Sequence, residues 1–289
     1  MPSLIDFRRR IRSVKNTQQI TKAMKMVSAA KLRRAQERVI AARPYAAQMR
    51  EMLVNLAQAA QSDERASESV WLAKREPKNI DVVLVTSDKG LAGAFNSNLI
   101  KASQRFAAEH PDAKISLTLV GRKGRDFYKR RSAQITGEYV NILAKPAYVD
   151  AATVAREIIR RYREGETDAV YIINNDFKSV MTQTLSVQQL LPVDLTSSAD
   201  PAATKDYIYE QSPLDMLERL MPRFVEVAIF RSMLETGAAE HAARMTAMDK
   251  ASSNAKDVIE ALTLYMNRVR QASITKEIIE VVSGAAAAG

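Results

Sequence analysis

The chain contains no cysteine, which excludes disulfide bonds and thiolate metal sites. Its two histidines, His110 and His241, stand far apart without the spacing of metal ligands, so we expect surface or packing roles for both. No apolar run approaches the roughly 20 residues that cross a bilayer. The first residues, MPSLIDFRRR, lack the apolar core and cleavage site of a secretory signal. We therefore expect a cytoplasmic protein that another protein holds at any membrane it serves.

Catalytic and nucleotide-binding motifs are missing as well. The phosphate-binding pattern GxxxxGKS/T has no match, and the dinucleotide pattern GxGxxG is incomplete at Gly90 with Gly93 and at Gly121 with Gly124. Neither GxSxG nor HExxH occurs, and no pair of carboxylates is set apart for acid–base chemistry. The glycine pairs favour tight turns and helix packing. The sequence thus predicts a chain that is not itself an enzyme and that binds no cofactor.

Acidic residues are scarce in the first 50 positions. This segment holds 13 Lys or Arg against Asp6 and Glu37, a net charge of +11, whereas the whole chain carries +10. One element therefore carries the entire positive excess, and it should meet an acidic partner. Three environments could accept an element that is both apolar and basic: a nucleic-acid groove, a membrane surface, or another protein.

Glycine is absent from residues 3–61, and Pro44 is the one proline there. Helix formers dominate, so the sequence predicts a long helix with a break near Pro44. A second long helix is predicted from Pro213 onward, interrupted only at Pro222 and Gly237. Each helix has a heptad seam, which needs an apolar partner. The N-terminal seam comprises Leu4, Phe7, Ile11 and Val14, continues on Gln18 and Thr21, and is predicted to shift to Ile20, Met24 and Val27. The C-terminal seam comprises Ala255, Val258, Leu262, Tyr265, Val269 and Ala272.

Between these helices, buried strands alternate with amphipathic helices, which is typical of a mostly parallel sheet covered on both faces. Strands are predicted at Ile80–Thr86, from Lys114 and from Asp168, with MTQTLSVQQLLPVD as an antiparallel edge. Asn96 or Ser97 is predicted to cap the first helix of this part. The predicted fold is α/β plus a long helical coiled coil, in which the terminal helices pair antiparallel and a Rossmann-like α/β domain is inserted. The predicted segments are an N-terminal shaft helix (1–61), a linker (62–79), an α/β foot domain (80–210) and a C-terminal shaft helix (211–289).

The basic helix favours protein contact over the two alternatives. Nucleic-acid binding would use the charge through phosphate contacts, but no helix-turn-helix, zinc finger or aromatic stacking pattern accompanies it. Membrane binding would need a free apolar face, whereas this seam is matched by a second one at the other end of the chain. A basic coiled-coil protein that binds nucleic acid stays the alternative reading.

Three segments carry a resemblance to a known family. They are IRSVKNTQQITKAMKMVSAAKLRRA near the start, YMNRVRQASITKEIIEVVSGA near the end, and TSDKGLAGAFN in the middle. Together they resemble the γ subunits of F-type ATP synthases, and the likeness extends over essentially the whole chain. The resemblance implies a rotor shaft inside a hexamer of α and β subunits, with the α/β domain near the ε subunit and the membrane-embedded c-ring. Rotation of the c-ring by proton flow would turn this shaft, and the shaft would drive each catalytic β subunit through successive conformations.

The resemblance also implies specific contacts with the β subunits. Met24 matches a position that faces an acidic β loop, and Lys25 stands where some members have an acidic residue. Arg244, Gln271 and Thr275 match polar residues that meet β loops as a catch; Gln271 and Thr275, four residues apart, share one helix face. Ordinary coiled-coil packing for Met24 and a solvated face for Gln271 and Thr275 are the structural alternatives.

At the foot, Tyr207, Tyr209 and Glu210 match positions near the c-ring or the ε subunit. The last residues, from Val281 and Val282 into SGAAAAG, match a tip that turns in an apolar sleeve formed by α and β. The many arginines and the lack of a transit peptide favour a bacterial member of the family. The implied location is therefore peripheral, at the cytoplasmic face of the bacterial inner membrane.

Overall fold

A computed structural model describes residues 4–60, 63, 65–66, 69–73, 75–193 and 210–287, with side chains described as far as residue 283. The helices are α1 (Leu4–Ala60), α2 (Phe95–Glu109), α3 (Arg122–Tyr128), α4 (Tyr148–Arg163) and α5 (Pro213–Ala287). The strands are β1 (Asn79–Val85), β2 (Lys114–Val120), β3 (Gln134–Tyr139), β4 (Ala169–Phe177) and β5 (Gln183–Leu191).

The chain divides into two compact units. The first, the terminal unit, comprises residues 1–29 and 244–289; the second, the sheet unit, comprises residues 30–243. The four segments predicted from the sequence follow helix ends instead, and that division stays a prediction.

The sheet unit contains all five described strands in the order β3-β2-β1-β4-β5. The first four are parallel, and β5 pairs antiparallel with β4 at the edge, as the alternating pattern predicted. The strand β3 was not predicted, because its sequence QITGEY is short, contains a glycine and is only partly buried. The central strand β1 is buried along six of its seven residues, which is why it reads as a continuous apolar run.

Helices cover both faces of the sheet. Successive side chains of a strand point to opposite faces, so Val83 and Val85 of β1 lie on one face and Leu84 on the other. Val83 and Val85 share a buried cluster with α4 and with the parts of α1 and α5 that belong to this unit. Gly124 of α3 packs over Leu84 on the opposite face. These two apolar layers hold the α/β domain together.

The terminal unit contains the beginning of α1 and the end of α5, paired antiparallel. The rings of Phe7 and Tyr265 lie 5.1 Å apart, Thr21 bonds to Ser252, and Lys25 bonds to residue 249, so contacts descend α5 as they ascend α1. The predicted fold class, paired terminal helices with an inserted α/β domain, is therefore confirmed.

Three local predictions were wrong. The helix α1 does not break at Pro44, and α5 continues through Pro222 and Gly237. A proline inside a helix loses one backbone hydrogen bond; buried side chains such as Leu53, on the turns after Pro44, keep α1 packed in the sheet unit. Neither Asn96 nor Ser97 caps α2, whose N-cap is Ala94. The Asn96 side chain instead accepts a hydrogen bond from the backbone N–H of Ser87 at 2.9 Å, and the Ser97 hydroxyl donates to the Ala94 carbonyl oxygen at 2.9 Å.

Candidate functional site

The seam of α1 in the terminal unit keeps one heptad register and becomes polar. After Val14 it continues on Gln18, Thr21 and Ser28, of which Thr21 and Ser28 are buried. The predicted shift to Ile20 and Val27 was wrong, because these side chains are 60% and 56% exposed. Thr21 and Ser28, which keep the three–four spacing from Val14, are thus the buried positions, although the exposed Ile20 and Val27 beside them are more apolar.

Hydroxyl and amide groups join the two helices at this polar seam. The hydroxyls of Thr21 and Ser252 lie 2.7 Å apart in a buried contact, and the Gln18 amide donates to the Ser252 carbonyl oxygen at 3.2 Å. The Thr21 hydroxyl also lies 3.0 Å from the Gln18 carbonyl oxygen, within its own helix. Buried directional bonds specify the register of a helix pair more strictly than apolar contacts do.

The seam of α5 also differs from the predicted set. Ala255 is buried and Leu262 and Val269 are partly buried, as predicted, but Val258 and Tyr265 are 46% and 51% exposed. Ile259 and Met266 are partly buried in their place, and Ala272 is exposed. The buried and partly buried three–four series comprises residues 248, 252, 255, 259, 262, 266 and 269. The sequence pattern is ambiguous here because apolar residues also occupy adjacent positions.

The two residues predicted to face an acidic β loop lie side by side at the edge of this helix pair. Met24 is half-buried. The Lys25 ammonium group donates to Asp249 on α5 at 2.6 Å, with the two side chains 43% and 60% exposed. Asp249, which sequence reasoning did not find, therefore offsets part of the Lys25 charge. The pair remains accessible to solvent, so it contributes little to stability.

The predicted catch residues lie in different environments. Arg244 is only 7% exposed. Gln271 and Thr275 are both exposed, and the Thr275 hydroxyl donates to the Gln271 carbonyl oxygen at 2.9 Å. This intrahelical bond fixes the Thr275 hydroxyl, whereas the Gln271 amide stays open to solvent. The structure therefore presents Gln271 and Thr275, but not Arg244, as an accessible polar face.

The last described part of α5 has no cover within the terminal unit. Every side chain from 270 to 283 is exposed. The exposed apolar ones there are Ile274 (48%), Ile278 (58%), Ile279 (59%), Val281 (72%) and Val282 (62%). An exposed apolar surface of this kind is typical of interaction sites.

The foot residues are only partly within the described chain. Glu210 is described and exposed, immediately before α5. Tyr207 and Tyr209 lie outside the described residues.

In an α/β sheet, ligands bind outside the carboxyl ends of the parallel strands, where the loops that follow β1, β2 and β3 lie. Here the chain ties the three loops to one another. Asp88 accepts backbone hydrogen bonds from Arg122 at 3.0 Å and from Asn141 at 2.9 Å. A Cβ on Gly121, whose φ is +102°, would lie 2.2 Å from the Thr86 carbonyl oxygen. Gly121 therefore allows the loop after β2 to approach the backbone at the end of β1 closely.

Basic residues surround a cleft of about 590 Å³ in the sheet unit. Lys31, Arg34 and Arg38 line it from α1, and Lys145 lines it from the loop after β3. His241 also lines this cleft, whereas His110 stacks on Phe106 at 4.3 Å. Within the described residues, no group of three or more His, Asp or Glu side chains could hold a metal ion. No described helix is long and apolar enough to cross a membrane.

Comparison with known proteins places these features in context. A family model described as ATP synthase matches residues 3–288. The ATP synthase gamma chain of Solibacter usitatus is 59% identical over 288 residues, covering 100% of both chains. That of Geobacter metallireducens is 50% identical, covering 99% of this chain and 98% of its own.

Two solved structures are similar as well. A chain of the Tetrahymena thermophila mitochondrial ATP synthase central stalk and c-ring is 27% identical with a TM-score of 0.63, covering 81% of this chain and 99% of that one. A chain of the Euglena gracilis mitochondrial ATP synthase rotor, 20% identical with a TM-score of 0.66, shares the fold and covers 94% of this chain and 98% of its own.

Proposed function

The chain belongs to the ATP synthase family, among relatives named gamma chain, and from this premise we propose that it is the rotating shaft that couples a c-ring to the catalytic β subunits. It is a central-stalk, non-catalytic subunit that works within the ATP synthase complex. Family membership favours this role over that of a basic nucleic-acid-binding protein.

The observation that carries the proposal is the uncovered end of α5. The 14 side chains from 270 to 283 are all exposed, so none of the described residues covers the isoleucines and valines of this helix end. These residues fit an apolar sleeve formed by the α and β subunits. Small and apolar side chains make no directional bonds that would hold one angle, so the tip can turn there.

The contacts with β are made by α1 and by polar residues at the start of the uncovered end of α5. Lys25 and the basic residues of α1 attract an acidic β loop, and Met24 slides past it because its thioether side chain is flexible. Gln271 and Thr275 meet other β loops as a polar catch; Arg244 would have to leave its buried position to join them. Each face of the asymmetric pair favours a different β conformation, so rotation shifts the β subunits through their states in sequence.

The α/β domain lies at the foot, toward ε and the c-ring, and Tyr207, Tyr209 and Glu210 belong to that contact. The protein is thus peripheral, at the cytoplasmic face of a bacterial inner membrane. ATP synthesis and ATP-driven proton pumping are the two directions of the same coupling.

Charge removal at the Lys25–Asp249 pair tests the β contact. In complete complexes in membrane vesicles, ATP hydrolysis and ATP-driven proton pumping are measured for Lys25→Met and for Asp249→Asn. Lys25→Met removes a positive charge, whereas Asp249→Asn leaves Lys25 unpaired and raises the positive charge at the same place. If an acidic β loop interacts with the charge at Lys25, the two variants shift the ratio of proton pumping to ATP hydrolysis in opposite directions.

If the intrachain bond were all that mattered, both variants would shift the ratio in the same direction, and the assignment of Lys25 would be wrong. A complex that assembles and couples hydrolysis to pumping without this chain would refute the shaft role itself.

A further inference from the structure

A closed ring of hydrogen bonds joins α1, α5 and the end of β4 inside the sheet unit. The Arg43 guanidinium donates to both carboxylate oxygens of Glu235, at 3.0 and 3.1 Å. It also donates to the Phe177 carbonyl oxygen at 2.6 Å, and the Phe177 backbone N–H donates to Glu235 at 2.9 Å. Each of the three residues thus bonds to the other two, and we call this ring the latch.

The latch extends from the buried interior to the solvent. The Glu235 side chain is only 4% exposed, whereas that of Arg43 is 46% exposed. Hydrogen bonding to Glu235 is the largest cause that raises the pKa of Arg43. Elsewhere, α1 and α5 meet the sheet mainly through buried apolar side chains, among them Leu53, Met233 and Ile172.

Apolar and polar contacts resist motion differently. Burial of apolar area holds surfaces together but has no preferred direction, so packed helices can shear by small amounts. A bidentate guanidinium–carboxylate pair has a fixed fork geometry and is stronger when partly removed from water. Sliding or turning α5 against α1 and β4 would break several latch bonds at once, since three of the four end on Glu235.

We propose that the latch fixes the register between the terminal helices and the α/β sheet, so that torque passes between the sheet and the helices through Arg43 and Glu235. This inference rests on the proposed shaft function and names where, within this chain, the load crosses from one layer to another. Arg43 and Glu235 are positioning residues: they touch no nucleotide and act by holding the helices.

Variants of the latch in the complete complex test this role. Arg43→Met keeps the aliphatic stem but removes the fork, and Glu235→Gln keeps the shape but removes the charge. We expect both to assemble and to hydrolyse ATP at near the normal rate, while proton pumping per ATP falls at least about twofold, the low end of coupling carried through such networks. Arg43→Lys should not restore pumping fully, because an ammonium group cannot form the same fork.

Two controls separate load transfer from loss of stability. Arg105→Met breaks an exposed ion pair on α2, whose side chains are 82% and 53% exposed, and should leave pumping per ATP unchanged. Ile172→Val loosens the apolar layer beside the latch and should lower the thermal stability of the complex without uncoupling it.

Normal pumping per ATP in both latch variants would overturn the inference while leaving the shaft function intact. Equal uncoupling in Ile172→Val would also overturn it, because general loosening would then suffice. If the latch variants fail to assemble, Arg43→Lys, which retains the charge, is tested in their place. Full coupling in that assembled variant would overturn the role of the bidentate guanidinium–carboxylate pair.

Discussion

The buried ion pair of the α/β domain gives the sharpest stability prediction. Asp81 of β1 is fully buried, and Arg161 of α4 donates to it at 2.5 Å with its own side chain 8% exposed. The Thr118 hydroxyl on β2 lies 3.1 and 3.0 Å from the two carboxylate oxygens. The change to make is Asp81→Asn, which keeps the shape of the side chain but removes its charge.

The expected cost follows from burial. Removing one partner of a buried pair leaves the other charge uncompensated, and this lowers the free energy of unfolding by ~3–5 kcal/mol. That is a large part of the ~5–15 kcal/mol of a typical domain. The exposed pair of Lys25 and Asp249, by contrast, is worth ~0–1 kcal/mol. In a double variant that also carries Arg161→Met, no buried charge of this pair remains. Much of the lost unfolding free energy should therefore be regained.

Urea unfolding of the full-length chain measures the effect. The single tryptophan, Trp71, stacks on Tyr162 at 5.9 Å, beside Arg161 in the sequence, so its fluorescence reports unfolding of this domain. Arg105→Met is the exposed-pair control and should change the unfolding free energy by less than ~1 kcal/mol. If Asp81→Asn lowered the unfolding free energy no more than the control does, the reasoning would be refuted. The ion pair would then behave like one that is exposed to water.

Three other predictions concern backbone geometry, pH and the catch. Gly121→Ala should lower the unfolding free energy by at least ~3 kcal/mol, because a Cβ there lies 2.2 Å from a backbone carbonyl oxygen at φ +102°. The side-chain hydrogen bond from Arg65 lowers the pKa of Asp63 from 3.8 to about 2. The stability that this bond contributes is therefore present above pH 3.8 and is lost as the pH falls through about 2. An NMR titration of the Asp63 carboxyl carbon should give this midpoint, and Arg65→Met should raise it. Replacing Gln271 with Leu and Thr275 with Val should slow ATP synthesis by the complex about fivefold, the value of one hydrogen bond.

Each of these has a control and a contrary outcome. Gly165→Ala has nothing within 4 Å of its Cβ and should cost much less than Gly121→Ala, despite its φ of +74°; equal costs would mean that close approach plays no part. An unchanged Asp63 midpoint in Arg65→Met would remove the assigned cause. Ser273→Ala, exposed between the two catch residues, should leave synthesis normal; the same slowing in this variant would show that the exposed face as a whole, not the catch pair, matters.

The pattern of the sequence was sufficient for the fold class. Period and composition predicted the long helices, three of the parallel strands and the antiparallel edge, because helix formers and the spacing of apolar residues are local properties of the sequence. Spacing alone predicted that Gln271 and Thr275 share one helix face, and both are exposed; their contact with β stays a proposal.

Spacing could not decide which of two adjacent stripes faces the partner helix. Ile20 and Val27 are more apolar than Thr21 and Ser28, yet the polar residues are the buried ones. At Thr21, the hydroxyl of Ser252 on the other helix satisfies the buried hydroxyl group. The ion-pair partner of Lys25 could not be predicted from the sequence pattern either, since Asp249 is 224 residues away along the chain.

The sequence by itself determined the basic first helix, the second long helix and the parallel sheet between them, because local periodicity and charge encode those features directly. Tertiary structure alone decided that Asp81 meets Arg161, that Arg43 meets Glu235 and Phe177, and that Arg244 is buried. These contacts join residues distant in sequence, and a polar side chain carries no local sign of whether its partner is water or another buried group.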